Sequence, residues 1–139
     1  GQQERGYAVM GKMTVYHGSY TAVKKPEILK GRNTKDFGPG FYCTVIREQA
    51  ERWARRYDSS IVNTYTVRLN TDLDILEFKE MNEEWLDFII ACRSGKPHAH
   101  DLVPARFKYP THQINFCTQA ALACLEYVSS EEVVPYDRT

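Results

Sequence analysis

Asp36-Phe37-Gly38-Pro39-Gly40-Phe41-Tyr42-Cys43-Thr44 is the stretch on which the reading of this chain turns. Its first half is loop chemistry. Gly38 and Gly40 flank Pro39, so positive φ is open to the backbone on either side of a fixed φ. Its second half, Phe41 to Thr44, reads as a short strand. A tight glycine loop that delivers an aromatic pair onto a strand lets backbone approach a flat ligand closely. A plain turn with a hydrophobic strand behind it fits the same residues, because short glycine motifs recur by chance.

Upstream, Met13-Thr14-Val15-Tyr16-His17 alternates and reads as a strand, with Gly18-Ser19 at its end. Tyr20 to Lys35 is a connection holding a basic cluster: Lys24, Lys25, Lys30, Arg32 and Lys35. Such a cluster is ordinarily a solvated surface, but this one lies between the two motifs just quoted. Of its members Arg32 is best suited to a pyrophosphate, since its planar fork matches phosphate oxygens. Downstream, Thr44 is positioned to cap a helix beginning at Val45, with Ile46, Ala50, Trp53 and Tyr57 on one face. Trp53 on that face reads equally as a core anchor.

The remainder alternates strand and helix signals. Ile61 to Leu69 has the period of a half-buried strand, and Leu73 to Phe78 predicts a shorter one. Asn82-Glu83-Glu84 opens a second helix with a capping residue and an acidic first turn. Its apolar run through Trp85, Leu86, Phe88, Ile89, Ile90 and Cys92 predicts a mostly buried element, stopped by Gly95 and Pro97. Lys96 to Pro110 reads as irregular. His112 to Cys117 reads as a strand, Thr118 caps a short helix, and Leu125 to Val134 is a final strand interrupted by the polar residues 129–132. Residues 1–12 show no periodicity and read as a loose leader. Residues 13–139 then form one α+β domain.

Eighteen basic residues balance eighteen acidic ones, which leaves only a local patch as a means of gripping nucleic acid or an anionic membrane. No apolar run approaches a membrane span, and the polar stretch 1–6 carries no signal-peptide pattern. Cys43, Cys92, Cys117 and Cys124 show neither CxxC nor metal-ligand spacing, so reduced core thiols and no metal are expected. These features predict a cytoplasmic protein with no membrane partner.

Taken together, Tyr16-His17-Gly18-Ser19, Asp36-Phe37-Gly38-x-Gly40-Phe41-Tyr42-x-Thr44, Gln49-Ala50-x-x-Trp53-Ala54 and Gln113-Ile114-x-Phe116-x-Thr118 resemble the ADP-ribosyltransferase superfamily. The likeness is to the side of that superfamily holding the poly-ADP-ribose polymerases and diphtheria toxin, and within it to an uncharacterised bacterial family. It spans about Met13 to Tyr127. The resemblance implies two small antiparallel sheets packed together with NAD, as a substrate, in the cleft between them. It implies that His17 bonds a ribose hydroxyl and that Gly18, beside Ser19, offers N–H and C=O to the nicotinamide carboxamide. Gly40, Phe41 and Tyr42 would line the nicotinamide pocket. Trp53 stands where a tyrosine usually stacks, and it keeps the π-face. Without the resemblance, His17 reads as a strand-end histidine bonded to backbone.

One departure bears on activity. The polymerases and diphtheria toxin place a glutamate at the start of a late strand, and the matching residue here is Gln113. A glutamine can bond ribose but supplies no negative charge beside a developing oxocarbenium ion. His17, Tyr42 and Gln113 are therefore the implied catalytic set of a mono-ADP-ribosyltransferase rather than a chain-extending polymerase. The acceptor would be protein, nucleic acid or a small molecule, and a toxin-like role would bring a regulatory or antitoxin partner. An inactive NAD or ADP-ribose binding module is the alternative, and an RNA 2'-phosphotransferase-like enzyme is a third. His100-Asp101 is a candidate source of the missing charge. Asp36 is another, though it suits a turn better. In similar bacterial chains a longer segment follows that His-Asp pair. Residues are therefore expected to be missing between Val103 and Pro104, with Cα atoms farther apart than the roughly 3.8 Å of a bonded pair.

Overall fold

Alternating strands are laid down first. The computed structural model describes residues 12–28, 37–69, 72–107 and 112–134. Strands β1 (Lys12–Ser19), β3 (Ile61–Arg68) and β6 (Leu125–Glu132) form one antiparallel sheet in the order β1-β3-β6. Strands β2 (Phe41–Cys43), β4 (Leu102–Arg106) and β5 (His112–Phe116) form a second in the order β2-β5-β4. The fold is thus α+β with two small antiparallel sheets. Val15, Tyr65 and Val67 from the first sheet pack against Phe41, Cys43, Leu102, Ile114 and Phe116 from the second. Burial of a side chain of this size contributes roughly 1.5–3 kcal/mol, so this shared layer holds the sheets face to face.

Three helices complete it. Helix α1 (Arg47–Ala54) lies on the outer face of the first sheet, where Ala50 and Ala54 meet Val62. Helix α2 (Glu83–Arg93) covers the outer face of the second, with Ile89 against Phe37, Phe78, Val103 and Ala105. Helix α3 (Gln119–Leu122) is a single turn capped by Thr118, whose hydroxyl accepts from Ala121 N–H at 3.2 Å. Asn82 caps α2 as the sequence predicts, accepting from Trp85 N–H at 2.9 Å. Gly95 ends it at φ +89°.

Several expectations are corrected. Val103 and Pro104 are consecutive members of β4, in register with Asn115 and Ile114, so the expected gap between them is not seen. That strand lies inside the segment expected to be irregular. Pro104 hides it from a pattern reading, and it is tolerated because β4 is the last named strand of its sheet. Leu73 to Phe78 is not a strand in its own right. It runs alongside β4 through two parallel bridges, Ile75↔Leu102 and Phe78↔Ala105. Helix α2 is not mostly buried, since Leu86 and Ile90 are 48% and 55% exposed. Thr44 is not the helix cap, because α1 starts at Arg47; its hydroxyl instead accepts from Ile46 N–H at 3.0 Å. Residues 129–132 continue β6 without interruption, and the irregularity is a bulge opposite Thr64 and Tyr65.

Among the described residues no helix is long and apolar enough to cross a membrane. The four cysteines are free thiols, Cys43 and Cys92 buried and the other two half-buried. Burial pushes the Cys43 thiol well up from its ordinary range and holds Cys117 at about 12. No group of three or more metal-ligating side chains occurs among the described residues.

Candidate functional site

The two sheets touch edge to edge at one place only among the described strands. Tyr16 N–H donates to Thr44 O at 2.8 Å and Thr44 N–H donates to Tyr16 O at 2.9 Å. Backbone groups alternate in direction along an antiparallel strand. Because those of Tyr16 face β2, those of Gly18, two residues on, face the same way. A continued ladder would put Gly18 opposite Tyr42. The ladder instead stops, and Tyr42 O accepts from His17 Nδ1 at 2.6 Å. A side chain has taken the acceptor that the next backbone N–H would have used. No backbone hydrogen bond joins Gly18 to Tyr42, and the N–H and C=O of Gly18 face that side of β1.

The carbonyl can only accept, so Nδ1 of His17 is the donor. The imidazole also stacks on Phe41, with centroids 4.1 Å apart. Both contacts fix its plane. Behind Gly18 stands α1. A Cβ at Gly18 would lie 2.2 Å from Ala50 O, 2.7 Å from Ala54 N and 3.0 Å from Trp53 Cβ. The Cβ of Trp53, a half-buried residue, therefore lies against Gly18. His17 and Tyr42 are joined at this junction, the Trp53 Cβ lies against Gly18, and the Tyr42 ring packs beside Phe37 and Phe78.

Gln113 lies one strand further on. Tyr42 pairs with Asn115, and Gln113, two residues along β5, is on the same face of the sheet as Tyr42. Diagonal neighbours of this kind are about 7–8 Å apart, within reach of long side chains. All five of these residues are half-buried.

Other candidates have different duties. The Ser19 hydroxyl is turned into its own loop, accepting from Thr21 N–H at 3.4 Å. Phe41 is core. Gly40 is buried, and its bare face is filled by Asn115: a Cβ there would lie 2.0 Å from Asn115 Oδ1. Arg32, Asp36, Lys30 and Lys35 fall outside the described residues, while Lys24 and Lys25 are exposed. Asp101 is engaged in a structural tie. Its carboxylate accepts from Asp74 N–H at 2.9 Å and from the Thr118 hydroxyl at 2.7 Å, tying three segments together. His100 pairs with Asp74 at 2.8 Å.

The glycine loop is held from three sides, and only one of them is legible in the motif. The Tyr42 hydroxyl donates to Gly38 O at 2.7 Å and accepts from Phe37 N–H at 3.0 Å. Gly38 itself sits at φ +83°, where glycine is favoured. Asn115 Nδ2 donates to Phe37 O and Pro39 O, each at 3.4 Å. His98 Nε2 donates to Phe37 O at 3.3 Å, and burial keeps this histidine below its usual range. Sequence reasoning missed both Asn115 and His98. The one signal for Asn115 was an amide alternating against the core residues Ile114 and Phe116. We expect Gly40→Ala to lower stability by about 1–3 kcal/mol, since its Cβ overlaps a fully buried amide. Asn115→Ala removes that obstacle, so the double variant should lose less than the sum of the singles. Urea unfolding of the four proteins tests this, and strict additivity would show that the two sites do not touch.

A cavity of about 460 Å³ lies between Lys25–Ile28 and Cys117–Gln119. These segments follow β1 and β5, so it opens at the same end of the sheets as Gly18.

Comparison with known proteins places the chain. The profile of the family described as "Protein of unknown function (DUF3990)" matches residues 13–105, and the chain belongs to that family. No curated protein matches it. The matched range takes in the whole β1–β2 junction and α1 but stops short of β5 and Gln113.

Proposed function

We propose that this member of the family has an ADP-ribosyltransferase-like fold and is an NAD-dependent mono-ADP-ribosyltransferase. It would cleave the nicotinamide–ribose bond and pass ADP-ribose to an acceptor. The observation that carries this is the broken ladder at Gly18. A primary carboxamide wants one donor and one acceptor, side by side and rigid, without a side chain in the way. The outward N–H and C=O of Gly18 are such a pair. In this reading Trp53, whose Cβ lies against Gly18, would supply a ring face for the pyridine and Tyr42 would line the other side.

The remaining parts follow in order. His17, anchored through Nδ1 to Tyr42 O, would meet a ribose hydroxyl. Gln113 donates an amide to the ribose from the face that carries Tyr42. The cavity beside Lys25 has a volume suited to the rest of a dinucleotide. As the C–N bond lengthens, nicotinamide leaves neutral and positive charge grows on the ribose. Gln113 orients that sugar without stabilising its charge. An inactive NAD or ADP-ribose binding module is the second reading, and the same glutamine favours it.

Titration with NAD, with chromatographic assay of free nicotinamide, separates these. For the enzyme we expect binding and slow release, with release at least about tenfold lower in Tyr42→Ala. Binding with no release above that variant leaves the binding module. No binding by the wild-type chain removes both readings.

A further inference from the structure

Two exposed tyrosines stand at the rim of this junction. Tyr20 follows Gly18-Ser19 directly and is 62% exposed; Tyr57 lies one turn beyond Trp53 and is 45% exposed. Their rings meet edge to face with centroids 5.6 Å apart. Large aromatic surface left in water beside a cleft is unusual for residues that could pack inward.

The cations close to the pair along the chain are engaged unevenly. Arg47 and Arg55 are engaged with acidic partners on the helix and on β6. Arg52 and Arg56, one helical turn apart and exposed, have no ion-pair partner among the described residues. Lys24 and Lys25, also exposed, lie in the loop that begins at Tyr20. Asp58 is the acid nearest in sequence to the tyrosines. A helix C-terminus attracts arginines through its dipole, which accounts for Arg52 alone. It does not account for the two open aromatic rings that flank the helix end in sequence.

From this juxtaposition we infer that Tyr20 and Tyr57, with Arg52 and Arg56, form a binding surface for single-stranded nucleic acid. Bases stack on the rings, whose π-faces accept any base, and the guanidinium groups hold phosphates. A chain of zero net charge grips only through such a local patch, so binding is weak and salt-dependent. A duplex keeps its bases stacked on each other and gains only the phosphate contacts. The surface borders Gly18 and Trp53, so a strand lying on it would be delivered to the proposed NAD junction as acceptor. That last step rests on the proposed function; the binding does not.

Fluorescence anisotropy of the full chain with labelled single strands about 12 nucleotides long, DNA and RNA, tests it. We expect binding that weakens between about 50 and 200 mM salt. The Tyr20→Ala/Tyr57→Ala protein should bind about tenfold or more weakly. Arg52→Ser/Arg56→Ser should flatten the slope of log K against log salt by about 1.4. These side chains are at the surface, so unfolding midpoints should match the wild type. No binding by the wild type, unchanged affinity in the tyrosine variant, or equal competition by duplex DNA or by polyglutamate overturns the inference. NAD binding is measured alongside. Strand binding without NAD binding keeps this surface and removes the NAD reading; the converse does the reverse.

Discussion

Gln113→Glu is expected to raise nicotinamide release from NAD by about two to three decades while changing NAD affinity little. The substitution is nearly isosteric and places a carboxylate where the proposed mechanism lacks one. Charge aimed at a developing cation in a half-buried site stabilises the transition state far more than the ground state. The surrounding carboxylates do not fill that role. Asp101 is held by Asp74 N–H and the Thr118 hydroxyl. Glu77 lies under Arg106, its carboxylate 3.4 Å from the guanidinium and only 5% exposed. Its neighbours Leu76 and Phe78 point to the face that carries Tyr42, so Glu77 points to the other one. The assay is single-turnover release under saturating NAD. A glutamate variant that binds NAD and releases nicotinamide no faster would remove Gln113 from the reacting ribose.

Gly18→Ala should be the most damaging single-methyl change in the described part of the chain, lowering stability by about 3 kcal/mol. The new methyl would meet Ala50 O at 2.2 Å and Ala54 N at 2.7 Å. Both are backbone atoms of a helix, so neither can rotate away. Either α1 must lift from the sheet or β1 must bend at the point where it leaves β2. Gly95→Ala is the natural comparison. It adds a methyl at φ +89° with nothing within 4 Å, so it carries backbone strain alone, about 1 kcal/mol. Urea unfolding of both proteins compares crowding with strain. Equal losses would show that α1 does not press on Gly18. Loss of NAD binding in Gly18→Ala would by itself say little, because the same glycine serves helix packing and the proposed carboxamide contact.

That double duty marks the boundary between what the sequence and the tertiary structure each decide. Local signals were legible. The Asn82 cap, the Gly95 stop, the Thr118 turn and the alternation of 61–68 depend on contacts a few residues apart or on a period of two. The junction was legible only as a list of residues that ought to meet. Its geometry came from a register that no short window contains: one bridge at Tyr16, then an imidazole taking the next carbonyl.

Other features were hidden by the same physics. Strand β4 contains a proline and reads as a loop, yet pairing with β5 orders it. Helix α2 looks wholly apolar, but a helix has one face toward the core, and Leu86 and Ile90 fell on the other. Gly40 looked like room for a ligand, and Asn115, seventy-five positions away, fills it. Composition and periodicity marked most of the strands and helices, since those depend on neighbours along the chain. Which side chain occupies the space beside a glycine was decided only by folding, because distant segments compete for that space and the best packed one wins.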